Sequence, residues 1–224
     1  MPRGKTLWEM LVERIRGPVE LTYHNPLRAK VGSSVSINEP ELKELNFFVR
    51  EMREYTRTID GRPFVFVDYL LLARPLGAED VWVRLRLVPV AEPDPASGLT
   101  HHALLLRLYD EFAYDEAFYG VVTDTTRKFE VSEEGRVTEE YWRVNDVAEP
   151  YRAQVAVIRD TDQDGTVSPG EVEHTEVEYW DYWRETDAPG GPVRQYLFVE
   201  IDRGSGWTQL WRGAEADLQA VMVF

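Results

Sequence analysis

Thr56-Arg-Thr-Ile-Asp-Gly-Arg-Pro-Phe-Val-Phe-Val-Asp-Tyr-Leu-Leu-Leu72 is the stretch that decides the fold. Thr56 to Ile59 is rich in β-branched residues, which suit a pleated strand. Asp60-Gly61 is a hairpin signal, because both central positions tolerate positive φ. Phe64 to Leu72 then runs as a long apolar strand broken only by Asp68. Val81 to Val88 returns after a turn over Pro75–Asp80, which completes a three-stranded meander.

Working outward, residues 38–52 admit two readings. Asn38 and Glu41 have the spacing to cap a helix carrying Leu42, Leu45, Phe48 and Met52. The same segment from about Phe47 reads as a strand with Val49 and Tyr55 on one face, and the meander that follows favours the strand. Residues 6–16 predict a short amphipathic helix, with Thr6 and Glu9 at capping-box spacing, Leu7, Leu11 and Ile15 on one stripe, and Gly17-Pro18 as the stop. Val31–Ile37 alternates weakly. Beyond a Pro-rich loop at 91–99, strands are expected over Ala103–Phe112, Phe118–Thr123, Phe129–Val131, Val137–Val144, Ala153–Ile158, Glu176–Trp183, Gln195–Ile201 and Trp207–Trp211. The closing Val-Met-Val-Phe reads as a paired strand. Many short strands with frequent turns imply a mainly β fold, an antiparallel barrel or sandwich built from meanders and hairpins with a short N-terminal helix. It is organised either as a single β-rich domain over 1–224 or as two sub-domains, 1–90 and 100–224, split in the 91–99 loop.

The chain has 224 residues, 43% hydrophobic and 12% aromatic, enough for a sizeable core. Its formal charge of −15 argues against nucleic acid and anionic lipid as partners, since both require a basic face. The absence of cysteine removes disulfides and thiolate sites together. No apolar run approaches the roughly 20 residues that span a bilayer. The first residues lack the hydrophobic core of a signal peptide, so a cytoplasmic location is expected.

One segment carries specific chemistry. Asp160-Thr-Asp-Gln-Asp-Gly-Thr-Val-Ser-Pro-Gly-Glu171 places acids at positions 1, 3, 5 and 12 of a twelve-residue loop, with Gly165 at the sharp turn. A hard cation needs six to eight converging oxygens. Asp160, Asp162, Asp164, the Thr166 carbonyl, Ser168 and Glu171 supply them for Ca2+. These residues resemble the EF-hand calcium loop. The resemblance stops at the loop, because the flanks Gln154–Ile158 and Glu176–Trp183 read as strands. Nothing there could open as a helix pair does, so a structural clip on a hairpin is expected rather than a switch. From Asp160 to Asp187 there are ten acids against Arg184 alone among Lys and Arg. A divalent ion would offset that repulsion. A single unpaired loop would also suit a calcium-rich site outside the cytoplasm.

Tyr179-Trp-Asp-Tyr-Trp183 is dense in aromatics, with Trp180 and Tyr182 on one face and Tyr179 and Trp183 on the other. Trp180, Tyr182 and Trp183 are the candidates for stacking on a sugar, although a two-layer fold would cover both faces. Asp68 shares a face with Phe66 and Leu70 and is expected to pair with Arg84 or Arg86 on the next strand. His24, His101, His102 and His174 lack zinc-ligand spacing, and no nucleophile or phosphate-binding motif is present. Phe66-Val-Asp-Tyr-Leu-Leu71 and Tyr179-Trp-Asp-Tyr-Trp183 are similar to segments of bacterial all-β domains of unknown function, a resemblance that implies no activity. Two functions follow as expectations. The first is a calcium-binding, non-enzymatic β-rich binding or scaffold protein, with a protein partner or a second copy. The second is a carbohydrate-binding or carbohydrate-active protein using the 179–183 aromatics.

Overall fold

A computed structural model describes residues 25–224, apart from 60, 95–98, 125, 134–135, 145–148, 161–170 and 189–190. The helix expected over 6–16 lies outside the described residues. The strands are β1 (Ser34–Ile37), β2 (Asn46–Ile59), β3 (Arg62–Ala73), β4 (Val81–Asp94), β5 (Leu99–Ala113), β6 (Lys128–Glu133), β7 (Arg136–Arg143), β8 (Tyr151–Arg159), β9 (Val172–Ala188), β10 (Gly191–Asp202), β11 (Trp207–Ala216) and β12 (Val221–Val223). One helix, α1 (Glu116–Val122), follows β5.

The pairings run β2-β3-β4-β5-β11-β10-β9-β8, and β8 returns to β2, which closes an antiparallel eight-stranded barrel. The fold is therefore a barrel and not a sandwich. The 91–99 loop does not interrupt the sheet, since β4 and β5 pair directly from Arg84↔Leu106 to Pro89↔His101. β1 and β12 extend the sheet from the first residues of β2. The β6–β7 hairpin hangs on β9 through Trp142↔Trp183 and Arg143↔Tyr182.

Two bulges set which side chains enter the lumen. In β2 the register shifts between Val49 and Glu51. Phe47 and Val49 therefore face outward with Val67, Tyr69 and Leu71 in an outer core. After the extra residue, Glu51, Arg53, Tyr55 and Arg57 face inward, opposite Leu70, Asp68, Phe66 and Phe64. In the β5–β11 pair the shift at Leu210/Trp211 has the same effect. Leu104 and Leu106 pack in the lumen with Phe198 and Trp211, whereas Phe112 packs outside.

The outer faces are clothed twice. Leu27, Val35, Ile37, Leu42, Val221 and Val223 cover β3 and β4. α1 and the β6–β7 hairpin cover Trp180, Tyr182, Leu197 and Val199. The strand expected over Phe118–Thr123 is thus a helix with one residue beyond it. Its aromatic and β-branched residues read as strand, but Asp115 caps the first turn by accepting from Phe118 N at 2.7 Å. Tyr119 then meets Trp180 edge-on at 5.9 Å. Residues 39–45 form turns, with Lys43 N donating to Glu39 O, and the strand begins at Asn46.

At Gly213 the two backbones of β5 and β11 come so close that an added methyl would collide with the Leu105 carbonyl. Gly213→Ala should therefore lower stability by at least about 2 kcal/mol, read from the urea midpoint, because two backbones cannot yield as a flexible side chain does.

Candidate functional site

The lumen is charged at its centre. Arg86 clasps Asp68 with both nitrogens at 2.8 Å, and Arg84 lies 3.3 Å from the same carboxylate. The ion pair expected of Asp68 is present, with both arginines engaged. From the far wall Glu200 reaches Arg84 at 3.1 Å, Arg53 at 2.9 Å and the Tyr55 hydroxyl at 2.8 Å. Asp68, Arg84, Arg86 and Glu200 are all buried. The guanidinium of Arg84 also lies 3.8 Å from the Trp211 ring centre, and that of Arg86 4.5 Å from Phe198. Burial raises the cost of ionising Glu200, but Arg84, Arg53 and Arg86 outweigh it and hold its carboxyl down at about 2. Glu200 and Arg53 were not singled out in the sequence. The available signal was a lone acid inside the apolar run Leu197-Phe-Val-Glu-Ile201.

One mouth of the barrel lies where β8 ends at Arg159 and β9 begins at Val172. A cavity of about 320 Å3 opens there, lined by Arg53, Arg159, Glu173, Thr175, Asp202 and Trp207 among others. Arg159 ties the rim together, binding Glu51 at 2.6 Å and Glu173 at 3.0 Å. Of the candidate calcium ligands, Asp160 and Glu171 are described, and Asp162, Asp164, Thr166 and Ser168 lie outside the described residues. Among the described residues no group of three or more His, Asp or Glu side chains is placed to hold a metal. The acids of this hairpin are also less isolated than the sequence implied. Glu178 pairs with Arg152 at 3.3 Å and Arg203 at 3.0 Å, both from outside the 160–187 stretch.

The aromatic candidates are covered. Trp180 and Tyr182 are buried beneath α1 and β6–β7, so neither offers a face to a sugar. Trp183 is half-buried, with Arg194 over its ring at 4.8 Å. The adjacent histidines diverge as expected on a strand: His101 is buried, with Nδ1 3.0 Å from Thr100 Oγ1, and His102 is exposed.

At the other mouth the lumen is aromatic. Tyr55 stacks on Phe66 at 4.6 Å, and Phe66 meets Tyr179 edge-on at 5.9 Å. Arg57 lies against Tyr151 at 4.1 Å and Phe64 at 4.9 Å, and donates to the Tyr179 hydroxyl at 2.8 Å. Asp181, two residues on from Tyr179, has a buried Oδ1 with no hydrogen-bond partner among the described residues. Burial pushes its carboxyl up to about 6 against the pull of Arg86 and Arg57.

No family model matches this chain, and no curated protein or solved structure is significantly similar to it. Among the described residues, no helix is long and apolar enough to cross a membrane.

Glu200 and Asp181 are shifted in opposite directions. Glu200 has a depressed pKa, so its stabilisation is present above the ordinary range near 4.5 and is lost as pH falls toward about 2. Glu200→Gln should cost about 3 kcal/mol at pH 7 in a denaturant titration, because it leaves buried arginines undercompensated. Asp181 has a raised pKa, so its contribution is present at low pH and is lost as pH rises through about 6. Asp181→Asn should melt higher than the parent at pH 8, with the gain shrinking as pH falls below about 6.

Proposed function

We propose that this chain is a calcium-binding, non-enzymatic binding or scaffold barrel, in which one Ca2+ staples the β8–β9 hairpin at the mouth. Asp160, Asp162, Asp164, the Thr166 carbonyl, Ser168 and Glu171 are its ligands. The observation that carries the reading is the antiparallel pairing of β8 and β9 through Ile158↔Val172. That pairing brings the two ends of a full oxygen-donor loop to the neck of one hairpin. A twelve-residue loop with this donor order supplies the oxygens that a hard cation takes. The ion would fix the ends of two barrel strands, which is the work of a clip and not of a switch.

The scaffold part rests on two features. Asp68, Arg84, Arg86 and Glu200 are engaged with one another, which suits a structural network better than a proton-transfer site. Phe48 and Trp82, on strands flanking Leu72, are exposed large apolar side chains near the same end of the barrel. Such side chains suit contact with a protein partner or a second copy.

Thermal unfolding is to be measured in EGTA, in millimolar calcium and in millimolar magnesium. A ligand that binds only the folded chain raises the melting temperature. A calcium-selective rise that disappears in Asp160→Ala and Glu171→Ala is expected. Equal melting in all three conditions, together with a flat calorimetric titration, would refute the clip.

A further inference from the structure

At the end of the barrel away from Arg159, the wall is split. β2 and β8 pair only as far as Thr56↔Gln154. Past that point Arg57, Thr58 and Ile59 pair with β3, while Tyr151, Arg152 and Ala153 pair with β9. The two strands diverge and leave a cleft of about 1090 Å3, with Thr58 and Ile59 on one wall and Arg152 and Ala153 on the other.

The register fixes which way the backbone of each wall points. Thr58 lies opposite Pro63 on β3. Proline has no N–H, so this is a pair that exchanges no ladder hydrogen bonds. The N–H and C=O of Thr58 therefore point away from β3, into the cleft. Thr56 points the same way and meets Gln154. Two residues before Gln154, by the same alternation, the N–H and C=O of Arg152 point toward β2. Thr58 and Arg152 are thus the next rung of the β2–β8 ladder, and the divergence of the strands leaves that rung open. Among the described residues, neither makes a backbone hydrogen bond across the cleft. A row of unpaired backbone groups on a strand edge is a template for another strand.

The charges of the walls narrow the guest. Arg152 is engaged with Glu178 at 3.3 Å, and Arg57 is turned onto the Tyr151 ring at 4.1 Å. Glu149 and Glu176 also line the cleft, and neither has a basic partner among the described residues. Glu176 accepts only from the Gln154 amide, at 2.8 Å. The chain as a whole carries −15. A basic guest relieves this excess.

We propose that the β2–β8 cleft takes up an extended, basic peptide segment of a partner protein as an added strand. The peptide donates to the Thr58 C=O and accepts from the Thr58 N–H, and its Lys or Arg side chains face Glu149 and Glu176. Main-chain bonds give such a complex its affinity, and side chains give it specificity. The site needs neither the calcium loop nor the exposed Phe48 and Trp82 at the other end of the barrel.

The test uses the full chain in EGTA, so that its outcome is independent of calcium. The backbone amide of Thr58, assigned by its loss in Thr58→Pro, is followed by NMR. The probe is the capped hexapeptide Lys-Val-Lys-Val-Lys-Val. Controls are the same peptide with every backbone amide N-methylated, and Glu-Val-Glu-Val-Glu-Val. In the free chain the Thr58 amide should exchange rapidly with solvent. The basic peptide should shift it saturably and slow its exchange, and neither control should do so. Thr58→Pro removes the donor at a position that makes no ladder bond to β3, and should weaken binding about tenfold, the worth of one backbone hydrogen bond. Thr58→Val, which keeps the N–H and loses only the hydroxyl, should bind as the parent does. Should Thr58→Pro fail to fold, the N-methylated peptide decides the same question. The proposal is overturned if the Thr58 amide is already protected in the free chain, whether by the chain itself or by a second copy. It is overturned equally if the basic peptide leaves that amide unmoved at millimolar concentration, if folded Thr58→Pro binds undiminished, or if either control binds as tightly.

Discussion

Everything in this barrel turns on four charged side chains buried across its lumen. Asp68 and Glu200 stand on opposite walls with Arg84 and Arg86 between them, in a medium where an unpaired charge would be intolerable. Such a network is weak evidence for stability, because desolvation cancels much of the attraction. Its stronger effect is on register. Successive side chains on a strand face opposite ways, so a slip of one residue would drive Arg84 and Arg86 into the apolar outer layer. Few alignments of β3, β4 and β10 avoid that, and the observed one satisfies all four groups.

A charged lumen leaves apolar side chains to fill the outer faces of the strands, and those faces then need covers. The first segments of the described chain and β12 form one cover, and α1 with the β6–β7 hairpin forms the other. The bulges are the price of combining the two arrangements on one strand. β2 begins as part of the outer core at Phe47 and Val49, and after one extra residue it contributes Glu51, Arg53 and Tyr55 to the lumen. Without that residue, Arg53 would point away from Glu200.

Strand-level features were legible in the sequence because they are local. Alternation, Gly and Pro punctuation and the Asp60-Gly61 turn located the meander, and Asp68 among apolar neighbours called for the arginines it finds on the adjacent strand. Barrel closure was not legible, since β2 and β8 meet across intervening strands and nothing in either specifies the other. α1 was misread because Phe118, Tyr119, Val121 and Val122 favour strands, and the packing of Tyr119 on Trp180 overrides that preference. The 160–171 pattern was readable as chemistry from twelve residues alone. The buried Oδ1 of Asp181, which has no hydrogen-bond partner among the described residues, was not, because it is defined by what fails to surround it.

The seam between β2 and β8 also governs how such a chain can fold. Glu51 and Arg159, which meet at one end of that seam, are 108 residues apart, and Tyr55 and Glu200 are 145 apart. Closing loops of that length costs entropy before any lumen contact repays it. The β2–β5 meander can assemble from neighbouring strands, but Arg84 and Arg86 then have only Asp68 between them, and the cover over β3 and β4 lacks Val221 and Val223 until β12 arrives. A fragment ending before β10 therefore carries both an undercompensated buried charge and an incompletely covered apolar sheet. Folding is set by topology to be slow, with the N-terminal half vulnerable to association until the C-terminal strands are in place.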